Sequence, residues 1–196
     1  MENKAVAVSL DKAYRLLNHG PTVLVTSAHG DQCNVMAAAW NMPLDFKPPK
    51  VAIVIDKNTY TRELIMASGN FAINVPCAAQ TEMVMKVGSS SGRELLGKEQ
   101  STKFAAFDLA TFPASKVHVP LIAGCIAWLE CQLISEPHIQ EAYDLYLAEV
   151  VAAWADERVF SDGRWHFDGH DDLKTLHHVA GGFFFTPGDS IQAHQE

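Results

Sequence analysis

Apolar positions recur first at helical spacing and then, from residue 21 onward, with the density and β-branching of strands. Leu10, Ala13, Tyr14 and Leu17 lie three or four residues apart, one face of a short helix that Ser9 can cap and Gly20 can end. Pro21-Thr-Val-Leu-Val-Thr-Ser27 is rich in β-branched residues and predicts a strand, and His29-Gly-Asp31 turns it into a second strand beginning near Cys33, so the two form a hairpin. Asn41 to Pro49 holds Pro43, Pro48 and Pro49; prolines remove ladder donors and bias the residues before them to extended geometry, which predicts a loop. Lys50 to Asp56 is a continuous apolar strand buried on both faces. A helix from about Thr59 to Ser68 follows, with Leu64, Ile65 and Ala67 inward and Gly69 ending it.

Phe71-Ala-Ile-Asn-Val-Pro76 predicts the next strand, and a helix runs through Thr81 to Lys86. Val87 to Lys98 opens with a Gly/Ser-rich stretch and is expected to be a mobile loop or lid. Ile122 to Ser135 and Asp144 to Trp154 are long strands, Asp168 to His178 carries a short helix, and Gly181-Gly leads into a final strand ending at Pro187. The expected class is mainly β with α (α+β), about six strands and three helices, enough strands to complete a barrel.

With 196 residues, one domain over 1–196 is expected. Lys plus Arg number 15 against 23 Asp plus Glu, a net charge of −8, which disfavours nucleic-acid and anionic-lipid partners. The first residues carry no apolar signal-like core, and no apolar run is long enough for a membrane span, so a cytoplasmic protein is expected. Cys33, Cys77, Cys125 and Cys131 form no Cys-x-x-Cys pair, which leaves reduced thiols as the expectation.

Two segments carry candidate chemistry. In Asn34-Val-Met-Ala-Ala-Ala-Trp40, an amide and an indole bracket the small or flexible side chains of Met36, Ala37, Ala38 and Ala39, which leave room beside the main chain for a flat ligand. Thr59, Thr61 and Arg62 open a helix directly after a buried strand, where unpaired N–H groups and the helix dipole favour an anion; Lys57 adds charge and Arg62 a bidentate fork. Plain N-capping by Asn58 or Thr59 is the competing explanation. A planar cofactor with a phosphate tail, as in riboflavin 5′-phosphate (FMN), would join the two segments, and Lys103 is a candidate donor to the ring's N1–O2 edge.

In order along the chain, Asn34-x-Met-x-x-x-Trp40, Thr59-Tyr-Thr-Arg62, Gly69-Asn-Phe-Ala-Ile-Asn-Val75, Ser91-Gly-Arg93, Lys103-Phe104, Pro120-Leu-Ile122 and Gly181-Gly-x-Phe-Phe185 resemble the flavin reductase-like, flavoredoxin-type family of FMN-binding split β-barrels. The resemblance spans roughly residues 20–190. It implies a homodimer that uses FMN, with NADH or NADPH as electron donor, and passes electrons to free flavin or another acceptor. Position by position, it implies that Asn34, Met36, Ala37 and Trp40 contact the ring and ribityl parts, Thr59, Thr61 and Arg62 the tail, and Lys103 the flavin, with Lys98 as the alternative to Lys103. Where the family often carries a histidine before the strand holding Leu147 to Val150, this chain has Tyr143, which with His177 and His178 makes the set of substrate-side candidates.

His166, His170, His177 and His178, interspersed with Asp168, Asp171 and Asp172, have no metal-ligand spacing, and no metal site is expected. Three functions remain in play: a NAD(P)H-dependent flavin reductase, an FMN electron carrier without its own nicotinamide site, and a non-flavin small-ligand binding module.

Overall fold

The computed structural model describes residues 5–193, so the expected domain over 1–196 extends beyond them at both ends. The chain forms β1 (Ala5–Ala7), β2 (Val23–His29), β3 (Gln32–Ala38), β4 (Asn41–Phe46), β5 (Pro49–Val54), α1 (Tyr60–Ser68), β6 (Asn70–Val75) and α2 (Thr81–Gly88). There follow α3 (Lys103–Ala106), β7 (Thr111–Pro113), β8 (Pro120–Ile122), β9 (Ala127–Ile134), α4 (Pro137–Tyr143), β10 (Leu145–Asp156), β11 (Phe160–Ser161), β12 (Arg164–Trp165), β13 (His177–Ala180) and β14 (Phe183–Phe185).

The main sheet runs β3-β2-β6-β9-β10-β5-β4, with β1 also on β10, and its pairings are antiparallel. The order begins at β3 and ends at β4, which are not paired with each other, so the barrel is split rather than closed. β10 reaches both halves: Leu145–Glu149 pairs with β5 and Trp154–Asp156 with β1, and the register shifts between Val150 and Ala152, where a bulge bends the strand.

Strand alternation sorts the apolar side chains into two cores. On β2, Val23 and Val25 face the barrel interior with Phe71, Ile73, Leu129 and Tyr146, whereas Leu24 faces outward into a second layer with Val35, Val84, Val87 and Trp128. Two buried polar side chains then tie loops to this frame. Asn74 donates to the Leu24 carbonyl and accepts from the Ile122 N–H. The Glu130 carboxylate accepts from the backbone N–H groups of Ser115, Lys116 and Val117 and from the Trp154 indole. Desolvation works against the Glu130 charge, but these donors outweigh it and hold the carboxyl below its usual range.

Several expectations are corrected. Asn41–Phe46 is a strand, not a loop: β4 is the outermost strand of the sheet, an edge where proline is tolerated, and its register shifts between Pro43 and Asp45. The first helix is a 3₁₀ helix, Leu10–Leu16, and Ser9 bonds the Asp11 carboxylate without capping it. In α1, Leu64 and Ile65 are buried but Ala67 is exposed. Thr59 is the N-cap of α1, accepting from the Arg62 N–H, and Gly69 ends it in the left-handed conformation at φ 70°. The expected strand over Ile122 to Ser135 is broken at Gly124, φ 82°, into β8 and β9. Asp168 to His178 holds only a 3₁₀ turn, Asp171–Leu173, before β13, and the two glycines turn β13 back onto β14. Among the described residues no helix is long and apolar enough to cross a membrane.

Candidate functional site

Alternation along β3 decides what each residue of the opening motif can reach. Asn34, Met36 and Ala38 point to the barrel interior and α1, and Val35 and Ala37 point to α2. Asn34 is buried, and its side-chain amide donates to the Thr61 hydroxyl at 2.9 Å. Its Oδ1 is buried without a hydrogen-bond partner among the described residues. A Cβ on Gly92 would lie 2.1 Å from that oxygen, so only glycine lets the 91–93 backbone approach so closely. Gly92, unremarked in sequence beyond its place in Ser91-Gly-Arg93, is therefore the residue that docks this segment. Arg93 completes the contact by pairing with Glu63 and lying over the Tyr60 ring, 5.6 Å from its centroid. Within the region expected to be a mobile loop or lid, Val87 and Gly88 end α2 and Gly92–Leu95 form a 3₁₀ turn seated on Asn34 and Tyr60.

The start of α1 is similarly engaged within the protein. The Thr59 hydroxyl caps the helix at Arg62 N and donates to the Asp56 carbonyl at 2.8 Å. Thr61 is fully buried against Asn34. Arg62 spends its fork on two carboxylates, Glu141 at 2.7 Å and Asp144 at 3.4 Å, which fasten α4 to α1.

Space lies along the alanine run. One cleft of about 270 Å³ is lined by Thr22, Ala37, Ala38, Ala39, Val84, Met85, Gly88, Ser89, His178, Gly181 and Phe184. A second of about 410 Å³ is lined by Met36 through Trp40 together with Val54, Asp56, Tyr143 and Asp144. Ala37, Ala38 and Ala39 are common to both, so the run is the partition between them. β3 is also a terminal strand of the sheet, and its far edge presents backbone donors and acceptors to the same space.

Around this partition stand the remaining candidates. Trp40 is 75% exposed and Tyr143 66%, both beside the larger cleft. Lys103 is buried rather than solvated, and its ammonium donates to the Val87 carbonyl at 2.8 Å, in the last turn of α2 next to cleft-lining Gly88. Burial lowers its pKa to about 8. Lys98 is exposed. His178 lines the smaller cleft and His177, its neighbour on β13, turns the other way toward His19, with ring centroids 5.5 Å apart. His166 bonds Ser161 at 2.9 Å, and among the described residues no three His, Cys, Asp or Glu side chains are grouped to hold one metal ion. Cys33 is partly buried, and desolvation raises its pKa, which suppresses the thiolate.

The split antiparallel barrel is the fold of the flavin reductase-like class. The chain belongs to that family: residues 15–176 match its model, the flavin reductase like domain. It is 45% identical over 194 residues to the uncharacterized protein YddH of Escherichia coli, covering 97% of this chain and 99% of that one. Among solved structures, an FMN-binding domain of a flavin reductases-like enzyme from Shewanella baltica is 47% identical with a TM-score of 0.93, covering 99% of this chain and 100% of that one. The flavoredoxin of Desulfovibrio vulgaris shares the fold at 24% identity, TM-score 0.74, with 89% of this chain and 90% of that one covered.

Proposed function

We propose that the chain is an FMN-binding oxidoreductase that draws electrons from NADH or NADPH and delivers them to free flavin or another small acceptor. The observation that carries this reading is the alanine partition: three methyl side chains on an open strand edge, with clefts on both sides. A flat ring can approach such an edge to hydrogen-bonding distance of the backbone, which larger side chains would prevent. The 47% identity to an FMN-binding domain over nearly the whole of both chains supports FMN as the ring.

When bound, FMN supplies the hydride and electron chemistry, and the protein binds and tunes. Met36, Ala37 and Trp40 frame the ring's place. Lys103, desolvated and next to the cleft, offers a positive charge to an anionic edge or tail. Thr59, Thr61 and Arg62 stand at the start of α1 beside the partition's strand as the candidates for the tail, and the Asn34–Thr61 bond sets the position of β3 against them. Tyr143 and His178 stand at the mouths of the two clefts and take the substrate-side roles.

A homodimer is part of the same reading. Met42, Leu44 and Phe46 alternate on β4 and are exposed, as is Trp40, a row of large apolar side chains on an edge strand that suits burial against a second copy. The exposed Trp40 and Tyr143 also favour a second reading, in which a protein partner takes electrons directly and the chain has no nicotinamide site. The purified protein with FMN separates these: reduction by NADH or NADPH, followed by loss of flavin absorbance under argon, is expected for the oxidoreductase. Bleaching by dithionite alone would establish the carrier, and failure to retain any FMN would reject both.

A further inference from the structure

Outside the clefts, the most unusual polar arrangement is a short chain of hydrogen bonds at the base of the β13–β14 hairpin. His19 Nε2 lies 3.0 Å from the Thr175 hydroxyl, and the same hydroxyl lies 3.2 Å from His177 Nε2. Thr175 is fully buried and its backbone is fixed by a bridge to Cys77, so it is a stationary post between the two rings. A hydroxyl has one proton to give. Both contacts and the hydroxyl proton are satisfied together when one ring donates to Thr175 and the other accepts from it.

The surroundings settle which. His19 Nδ1 is buried with no hydrogen-bond partner among the described residues, and a bare lone pair is better tolerated there than an orphaned N–H. His19 thus carries its proton on Nε2 and donates to Thr175. With His19 donating, the Thr175 hydroxyl proton goes to His177 Nε2, the acceptor within reach, so the neutral His177 ring carries its own proton on Nδ1. The order is His19 Nε2–H to Thr175 O–H to His177 Nε2. A further proton on His177 would place hydrogens from both rings on the Thr175 oxygen and leave the hydroxyl proton without an acceptor.

Groups that face the pair offer no compensation. Trp165 meets the His19 ring at 5.7 Å, and Arg15 sends its guanidinium to the Gly163 carbonyl and Tyr14. Lys174 is paired with Asp171 at 2.7 Å, and His178 turns to the Gly181 carbonyl on the opposite face. Burial, together with the charge of His177, lowers the His19 pKa to about 4, and burial lowers that of His177.

We infer that the His19–Thr175–His177 chain is an acid-sensitive latch that holds the β13–β14 hairpin over the smaller cleft. The hairpin supplies His178, Gly181 and Phe184 to that cleft, and it is held as well by the Thr22 N–H bond to the Leu176 carbonyl, the His178 N–H bond to the Thr22 hydroxyl and the packing of Phe184 against the second core. The sign follows from the two lowered pKa values. The open form binds more protons than the closed form between about 6.5, the ordinary imidazole value, and the folded values, so the latch is intact above that window and weakens as pH falls through it. The inference rests on the proposed function only for what occupies the cleft.

Hydrogen–deuterium exchange on the full-length protein, with no flavin added, tests the latch separately from flavin binding. After correction for intrinsic rates, amides of residues 177–185 are expected to exchange at least about tenfold faster at pH 5 than at pH 7.5, a 1.4 kcal/mol effect. The double variant His19→Gln, His177→Gln should lose that pH dependence. Protection that is equal at both pH values in the wild type, or acid loosening that persists in the double variant, overturns the inference. If the double variant does not fold, ¹⁵N spectra of the wild-type histidines decide: Nε2–H on His19 and Nδ1–H on His177, both titrating below the ordinary value, uphold it, and the reverse tautomers or ordinary titration overturn it. Retention of FMN is scored independently, so a colourless protein would sink the proposed function and leave the latch standing.

Discussion

The two ends of β3 differ sharply. At Asn34 the strand is sealed: the amide is buried, bonded to Thr61 and covered by Gly92, and the neighbouring Arg62 is held by two carboxylates. At Ala37 to Trp40, three to six residues further on, the same segment opens onto two clefts through side chains no larger than methyl until the exposed indole. Residues at one helix start have separate partners: the Thr61 hydroxyl holds β3 through Asn34 and the Arg62 guanidinium holds α4, while the small residues further along β3 line the clefts.

Filling that room should have the largest effect. Ala39 lines both clefts and is exposed, so Ala39→Phe occupies ligand space without entering the core. FMN affinity is expected to fall about 100-fold, equivalent to about 2.7 kcal/mol, with little change in thermal stability; fluorescence titration and a melting curve check both. At the sealed end the consequence should be reversed. Gly92→Ala forces a Cβ onto Asn34 Oδ1, and the displaced segment should cost about 1–3 kcal/mol, read as a lowered urea midpoint.

Arg62→Ala sharpens the comparison further. A phosphate role for Arg62 expects weakened FMN binding; the pairing with Glu141 and Asp144 expects the loss in stability instead, about 1 kcal/mol for such partly exposed pairs, with affinity changed by less than about threefold. A tenfold weakening of FMN without destabilisation would move Arg62 into the binding site.

The smallest expected effect is on pH dependence. Lys103 loses its charge as pH rises through about 8, so FMN affinity should weaken a few-fold between pH 7 and 9, and Lys103→Met should flatten that slope. Because its folded pKa lies below the ordinary lysine value, the unfolded chain holds the extra proton between the two. Folding stability should therefore rise with pH across that window, opposite in direction to the affinity.

Local pattern made much of the frame readable. β2, β3 and their turn, α1 with its Thr59 cap and Gly69 stop, and β10 all follow from branching, periodicity and punctuation in the chain. β4 did not, because its prolines argue against a ladder unless the strand is known to lie at an edge, and edge position is a property of the whole sheet. The partition of alanines was visible as missing bulk, but not that it would divide two clefts. Asn34 and Thr61 meet across 27 positions, and Lys103 finds Val87 across 16; neither separation has a periodic signature. The Glu130 carboxylate, which organises the 115–117 loop from 13 to 15 residues away, carried no mark in the sequence at all. Gly92 lay inside the predicted Gly/Ser-rich loop, where flexibility already accounted for a glycine, so its close backbone approach to Asn34 was masked.

The claim that the open end of β3 receives the flavin is tested most directly by titrating FMN into the wild type, Ala39→Phe and Thr61→Val side by side. Tight, saturable binding is expected for the wild type, loss of about two orders of magnitude for Ala39→Phe, and for Thr61→Val a protein that is less stable yet binds FMN within about threefold of the wild type. Equal affinity in the wild type and Ala39→Phe, with a collapse of binding in a folded Thr61→Val, would contradict that claim and place the flavin at the sealed end instead.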